Sequence, residues 1–179
     1  MTESPTLTLR PALATDANLL ADLGRRTFTQ AFAAQNTAEN LQFYLDSAFT
    51  VTKMGEELAT PGSLFTVAES GGEPLGYCKT MLNYPHPQLP VQRPLHLHRL
   101  YVLEDQLGRG VGQVLMEHVL QQAAQTGCDA VWLGVWEHNP RALAFYRKWQ
   151  FVPFGSYLFP FGDEAQTDLL LWRPLEPSF

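Results

Sequence analysis

The sequence predicts an α+β fold, a mixed and mostly antiparallel central sheet of about seven strands flanked by helices in layers. Three observations carry that prediction. Helical periodicity fills residues 15–59, and two short alternating stretches joined by a Gly-Gly turn then follow as a hairpin would. Beyond Leu95 strand-like and helix-like stretches alternate, which makes the sheet mixed. Two further strand-like stretches close the chain.

Taken in order, Thr6–Arg10 alternates Leu7 and Leu9 with polar neighbours and stops at Pro11, as a short edge strand does. Thr15-Asp16 starts a helix whose apolar residues Leu19, Leu20, Leu23, Phe28 and Phe32 recur at helical spacing. Thr37 caps a second helix carrying Leu41, Tyr44, Leu45 and Phe49, and a third covers Thr52–Ala59 before Pro61-Gly62. Leu64–Ala68 and Leu75–Leu82 are strands around the turn Ser70–Pro74, and four prolines make Asn83–Pro94 a loop. Leu95–Leu103 is a strand, followed by a Gly-rich turn and a helix that runs through Ala124 and closes at Gly127. Asp129–Trp136 is a buried strand. Asn139 with Pro140 caps a helix to about Trp149. The last strands lie near Phe151–Phe159 and Gln166–Trp172, with Gly162-Asp163-Glu164 in the loop between them. No repeat or low-complexity linker interrupts the chain, so residues 1–179 read as one domain.

Composition narrows the function classes. The chain has 179 residues, 45% of them apolar, and its 17% charged content lies below the roughly 25% of an average soluble protein. That balance excludes intrinsic disorder. The net charge of −6 argues against general affinity for nucleic acid or anionic membranes, which need clustered Lys and Arg. No apolar run approaches a membrane span, and the N-terminal segment lacks the charge-then-apolar order of a signal peptide. Cys78 and Cys128 form no metal motif or disulfide framework and fit a reducing compartment, so the expected location is cytoplasmic. A homodimer is compatible with the sequence.

The segment Leu107-Gly108-Arg109-Gly110-Val111-Gly112 lies between a strand and a helix. Glycines there let the backbone approach a ligand with N–H groups outward, and the helix N-terminus adds positive potential. Arg109 adds a cation, and the turn lacks the Gly-Lys-Ser/Thr ending of a nucleotide-hydrolysing loop. A ligand-free glycine connector would read the same way. The surrounding text decides more. Arg99–Gly112, with Trp132–Phe151 after the intervening helix, resembles the GNAT superfamily of acetyl-CoA-dependent N-acetyltransferases, in element order over 6–173 and in motif detail over 95–173. The family's pyrophosphate pattern is Gln/Arg-x-x-Gly-x-Gly/Ala. Gly110 and Gly112 match it, Leu107 stands at the Gln/Arg position, and Gln106 lies one residue early.

The resemblance implies acetyl-CoA as co-substrate, no metal, and direct attack of a primary amine on the thioester. It places the pantetheine arm along Leu100, Tyr101 and Val102, and the pyrophosphate on Leu107, Gly108, Arg109, Gly110, Val111, Gly112 and Gln113. Asn139, Arg141, Ala142, Tyr146 and Lys148 complete the expected cofactor contacts. Trp132–Glu137 and Phe161–Leu169 resemble the bacterial spermidine/spermine N-acetyltransferases, which makes a polyamine or similar small cation the expected acceptor.

An alkylamine with a pKa of about 10.4 must lose a proton before it attacks. Tyr146 stands in the family's Phe-Tyr pair, whose phenol is the usual acid for the departing thiolate. For the base the alternatives are His96, which falls where some family members carry a Glu, His98 on the adjacent step, or a water chain. By strict alternation His96, His98, Leu100 and Val102 share one face. His96-x-His98 alone is half a metal site without further ligands. Glu137, Asp163 and Glu164 are candidate partners for a cationic acceptor, and Phe28, Tyr44 and Trp136 are candidate groove aromatics, each equally readable as turn or core. Arg99, Arg109, Arg141, Arg147 and Lys148 concentrate positive charge that suits the phosphates of CoA. A protein N-terminal or lysine acetyltransferase, a CoA-binding regulatory module without turnover, and an interaction-only role are the competing readings.

Overall fold

The computed structural model describes residues 6–175. The strands are β1 (Leu7–Pro11), β2 (Ser63–Ser70), β3 (Glu73–Met81), β4 (Pro94–Val102), β5 (Ala130–Trp136), β6 (Val152–Phe161) and β7 (Glu164–Pro174). The helices are α1 (Ala17–Phe32), α2 (Ala38–Ala48), α3 (Val51–Ala59), α4 (Val111–Gln125) and α5 (Pro140–Lys148). The seven strands form one sheet in the order β1-β2-β3-β4-β5-β7-β6. Every neighbouring pair is antiparallel except β4 with β5. The expected α+β class and strand count are therefore the observed ones.

Local chemistry accounts for the boundaries. Thr37 and Thr50 cap α2 and α3 by accepting from the Asn40 and Lys53 N–H groups. Asn139 accepts from the Ala142 N–H, with Pro140 in the first turn of α5. The helix expected to start at Thr15-Asp16 runs from Ala17 with Asp16 at its N-cap position, where the Asp16 carboxylate accepts from Arg10 and from the Leu13 N–H and closes a 3-10 turn over Ala14–Asp16. Both hairpins are tighter than expected. The β2–β3 turn is reduced to Gly71-Gly72, both at positive φ, and the β6–β7 turn to Gly162-Asp163.

Each face of the sheet buries its own core. On one face α4 packs Leu115, Met116 and Val119 against Cys78, Leu97, Val131 and Leu133, and Tyr146 and Phe151 join them. On the other face Leu20, Leu23 and Phe28 of α1 and Met54 of α3 pack against Phe65, Val67 and Tyr77.

Two irregularities of β4 make the site. Its parallel pairing with β5 covers only Pro94–His96 against Ala130–Trp132, after which the two strands diverge. Its register with β3 jumps between Lys79 opposite Arg99 and Thr80 opposite Leu97, so His98 is an extra residue in a bulge. The bulge breaks the expected alternation. Leu97 and Leu100 face the α4 core, and His96, opposite Met81, shares its face with Arg99 and Tyr101 rather than with Leu100 and Val102.

Candidate active site

A cleft of about 780 Å³ opens where β4 and β5 diverge. From β4 it is lined by His96 through Val102, from α5 and its cap by Asn139, Arg141, Ala142, Tyr146 and Lys148. Most of the residues read from the sequence as catalytic or cofactor-binding therefore meet in one place. Arg109 and Val111 belong to the same turn but do not line the cleft, and Val111 is buried in the α4 core.

The glycine turn reaches the cleft at Leu107, Gly108, Gly110, Gly112 and Gln113. Gly108 and Gly110 hold φ of +77° and +87°, and a Cβ at either would point into open space. Gly110 is the N-cap of α4, and the first intrahelical bond runs from the Val114 N–H to the Gly110 carbonyl. The N–H groups of residues 111–113 precede that bond and have no helical carbonyl to donate to. This is a cradle of amide donors at a helix N-terminus, suited to an anion.

Tyr146 is buried in α5 between Phe145 and Phe151, with its ring on the cleft. Burial pushes its phenol well above the ordinary value, so it stays a proton donor at neutral pH. His96 stacks on Trp132 with ring centroids 3.8 Å apart and lies 5.3 Å from the ring of His98. Desolvation is the main cause that pushes both imidazoles down, His96 to about 3, with Lys79 and His86 adding to it at His96 and Arg99 and Lys79 at His98. His98 keeps its edge open to the cleft while the dense surround keeps it neutral.

Arg99 has a structural partner. Its Nη1 donates to Glu57 Oε2 at 2.6 Å, and Lys79 Nζ lies 2.9 Å from the same oxygen. Glu57 comes from α3, so the triad ties that helix to β3 and β4 beneath the cleft. Arg141 and Lys148 line the cleft and Arg147 does not.

The aromatics Phe28, Tyr44 and Trp136 also line the cleft. Glu137, Asp163 and Glu164 do not. Asp163 instead accepts from Asn40 Nδ2 at 2.7 Å, which pins the β6–β7 turn to α2. A Cβ on Gly162 would collide with Asn40, so that turn needs its glycine. The carboxylate that does line the cleft is Asp168 of β7, which accepts from the Tyr157 hydroxyl at 3.2 Å. Burial raises Asp168 to about 6, against the lowering effect of the Tyr157 bond. Asp168 lies within the Phe161–Leu169 segment that carries the resemblance, yet the sequence singles out neither it nor Tyr157 as a site residue.

Residues 25–151 match the family model described as the acetyltransferase (GNAT) family. The chain belongs to that family. It is 33% identical over 153 residues to an uncharacterized N-acetyltransferase of Lactobacillus delbrueckii subsp. lactis, covering 86% of this chain and 88% of the relative. A second uncharacterized N-acetyltransferase, from Mycobacterium bovis, is 31% identical over 161 residues, covering 90% and 99%. Among solved structures, the PaiA N-acetyltransferase of Thermoplasma acidophilum in complex with coenzyme A superposes with a TM-score of 0.75 at 16% identity, covering 95% of this chain and 99% of that one. An N-acetyltransferase from Rhodopseudomonas palustris gives 0.75 at 23% identity, covering 98% and 99%. Both share the fold.

This GNAT N-acetyltransferase carries groups whose chemistry suits acetyl-CoA. The amide cradle at Gly108–Gln113 fits a pyrophosphate, and Arg141 and Lys148 add charge beside it. The diverging half of β4, unpaired on its β5 side, offers backbone donors and acceptors to an amide-bearing arm. Among the described residues no three His, Cys, Asp or Glu side chains converge as a metal site, and no helix is long and apolar enough to cross a membrane.

Proposed function

We propose that this acetyltransferase moves the acetyl group of acetyl-CoA to a small cationic primary amine, a class that includes the polyamines, by direct attack of the amine on the thioester. The observation that carries the reading is that one cleft holds both the amide cradle of the glycine turn and a carboxylate, Asp168, set among aromatic rings. The cradle suits the anionic donor and the carboxylate suits a cation.

Acetyl-CoA supplies an activated acyl group. Leu100, Tyr101 and Val102 orient its arm through their backbone, and the turn from Leu107 to Gln113 holds the phosphates together with Asn139, Arg141, Ala142 and Lys148. Tyr146, protonated at pH 7, gives its proton to the leaving sulfur. His96 and His98 are neutral there and accept hydrogen bonds, from the amine or from a water beside it. Phe28, Tyr44 and Trp136 enclose the carbon body of the acceptor.

The test is an acetyl-CoA consumption screen over polyamines, monoamines, amino acids, aminoglycosides and peptides, with acetyl-CoA binding followed by calorimetry. Turnover on small amines supports the reading. Turnover confined to peptide N-termini or lysines replaces it with a protein acetyltransferase. Tight acetyl-CoA binding without transfer to any acceptor replaces it with a regulatory module.

A further inference from the structure

The acceptor side of the cleft has one carboxylate in an aromatic wall. In the sheet register Tyr157 of β6 stands opposite Asp168 of β7, and Asp168 stands opposite Trp136 of β5, so the three lie in one row across three strands. Trp136 meets Phe32 of α1 at 6.0 Å, which sets the row on the face covered by α1 and α2. The row is built around a glycine. A Cβ at Gly134 would lie 3.2 Å from the Tyr157 ring and 3.6 Å from Asp168 Oδ2, so the missing side chain lets the phenol and the carboxylate lie over β5. Among the residues lining the cleft, Asp168 is the sole Asp or Glu. Phe28, Tyr44 and Phe159 complete the wall.

We infer that the acceptor is an amine carrying a single ammonium on an aromatic or alkyl body, and that its nitrogen is received by Asp168 with Tyr157. The inference rests on the acetyl transfer proposed above and narrows its acceptor. Tyr157 fills one of about four acceptor directions of the carboxylate, and the others can take N–H donors. The rings give the ammonium further favourable faces and the body an apolar lining. A di- or triamine would bring its further charges into a wall with no second anion, and an unpaired charge is costly there.

The same placement gives Asp168 the first proton. The ammonium transfers H⁺ to the carboxylate, and the neutral nitrogen forms a C–N bond to the acetyl carbon while the C–S bond breaks. The thiolate takes the Tyr146 proton, the second nitrogen proton restores Tyr146 through water, and Asp168 releases its proton to solvent. One proton is lost overall. Asp168, whose carboxyl burial raises toward neutrality, is better matched to this task than His96, whose imidazole burial pushes down. Of the groups around it, Arg141 and Lys148 of the cleft are cations and His138 packs on Trp136, the cross-strand neighbour of Asp168, while four others stay neutral near pH 6. Tyr157 on β6 and Tyr44 on α2 are pushed up, and His96 and His98 on β4 are pushed down. The charge of Arg99 is engaged by Glu57. Asp168 is therefore the group to which the inference assigns an acidic limb near pH 6 in kcat/KM, and Asp168→Asn tests that assignment.

The experiment compares phenethylamine and hexylamine with putrescine and spermidine, using wild type, Asp168→Asn and Tyr157→Phe, with acetyl-CoA binding measured by calorimetry on each. The monoamines are expected to be the better acceptors. Asp168→Asn is expected to lower kcat/KM on the order of 10²-fold and abolish the acidic limb, with acetyl-CoA affinity kept. Tyr157→Phe removes a bond that stabilises the carboxylate, so its limb moves to higher pH. Preference for spermidine or putrescine, or a wild-type limb in Asp168→Asn, overturns the inference while leaving acetyl transfer intact. Failure of the wild type to bind acetyl-CoA overturns the transferase reading and the inference with it.

Discussion

Glu57 and Arg99 meet through two hydrogen bonds, of 2.6 and 3.2 Å, between α3 and β4 beneath the cleft. Lys79 shares the carboxylate, and the Arg99 guanidinium lies 5.1 Å from the centre of the Phe49 ring. All three charged side chains are buried, so the cluster keeps its cations only while Glu57 is present.

Glu57→Ala is therefore expected to destabilise the protein by about 3–5 kcal/mol, the usual cost of stranding buried charge. Arg99 and Lys79 hold the Glu57 carboxyl below its ordinary range although burial opposes them. A depressed carboxyl contributes stability above its unfolded pKa and loses it as pH falls through the folded value. Urea denaturation from pH 7 downward should show wild type weakening below about pH 4.5 and the variant weakening less over that interval. Equal slopes would separate the cluster from acid stability.

Tyr146→Phe keeps the ring among Phe145 and Phe151 and removes the donor. The expected outcome is a fall in kcat on the order of 10²-fold with acetyl-CoA affinity unchanged, read by steady-state kinetics beside calorimetry. An unchanged kcat across pH would remove the acid role.

His96→Ala is expected to reduce the rate while leaving the acidic limb near pH 6 in place, because His96 is already neutral there. Loss of that limb in a kcat/KM profile would return the base to His96.

Two glycines give opposite outcomes. Gly110 holds φ of +87°, so Gly110→Ala should cost about 1–2 kcal/mol and weaken acetyl-CoA binding by placing a methyl at the cradle. Gly55 lies within α3 with open space where a Cβ would be, so Gly55→Ala should stabilise by about 0.5–1 kcal/mol with activity unchanged. Thermal melts and calorimetry on the two variants check both.

What was legible in the sequence was local chemistry. The glycine turn, the Thr37 cap and the Asn139-Pro140 helix start each depend on neighbours within a few residues, and each is where the pattern put it. The bulge at His98 leaves one trace in the sequence, a step of three rather than two between the core-facing Leu97 and Leu100, and strict alternation, which ignores that step, puts His96 on the wrong face. Asp168 and Tyr157 carry no local signal of their own. The expected strand ends Phe159 and Gln166 already set their pairing, and what the local pattern does not carry is the placement of β5 beside β7, which brings Trp136 and Gly134 to Asp168. The eye-catching acidic residues Asp163 and Glu164 sit at the β6–β7 turn, and Asp163 holds α2 instead of lining the cleft. Arg99 read as a cation beside the cofactor motif, and only the tertiary fold brings Glu57 to it.

Free CoA thiol and N-acetylated amine can be followed together, by mass spectrometry, in one reaction of the protein with acetyl-CoA and phenethylamine. Equal amounts of the two products are expected, dependent on the protein and strongly reduced by Asp168→Asn. Thiol release without acetylated amine, or acetylated amine formed equally well by the Asn variant, would contradict acetyl transfer assisted by Asp168.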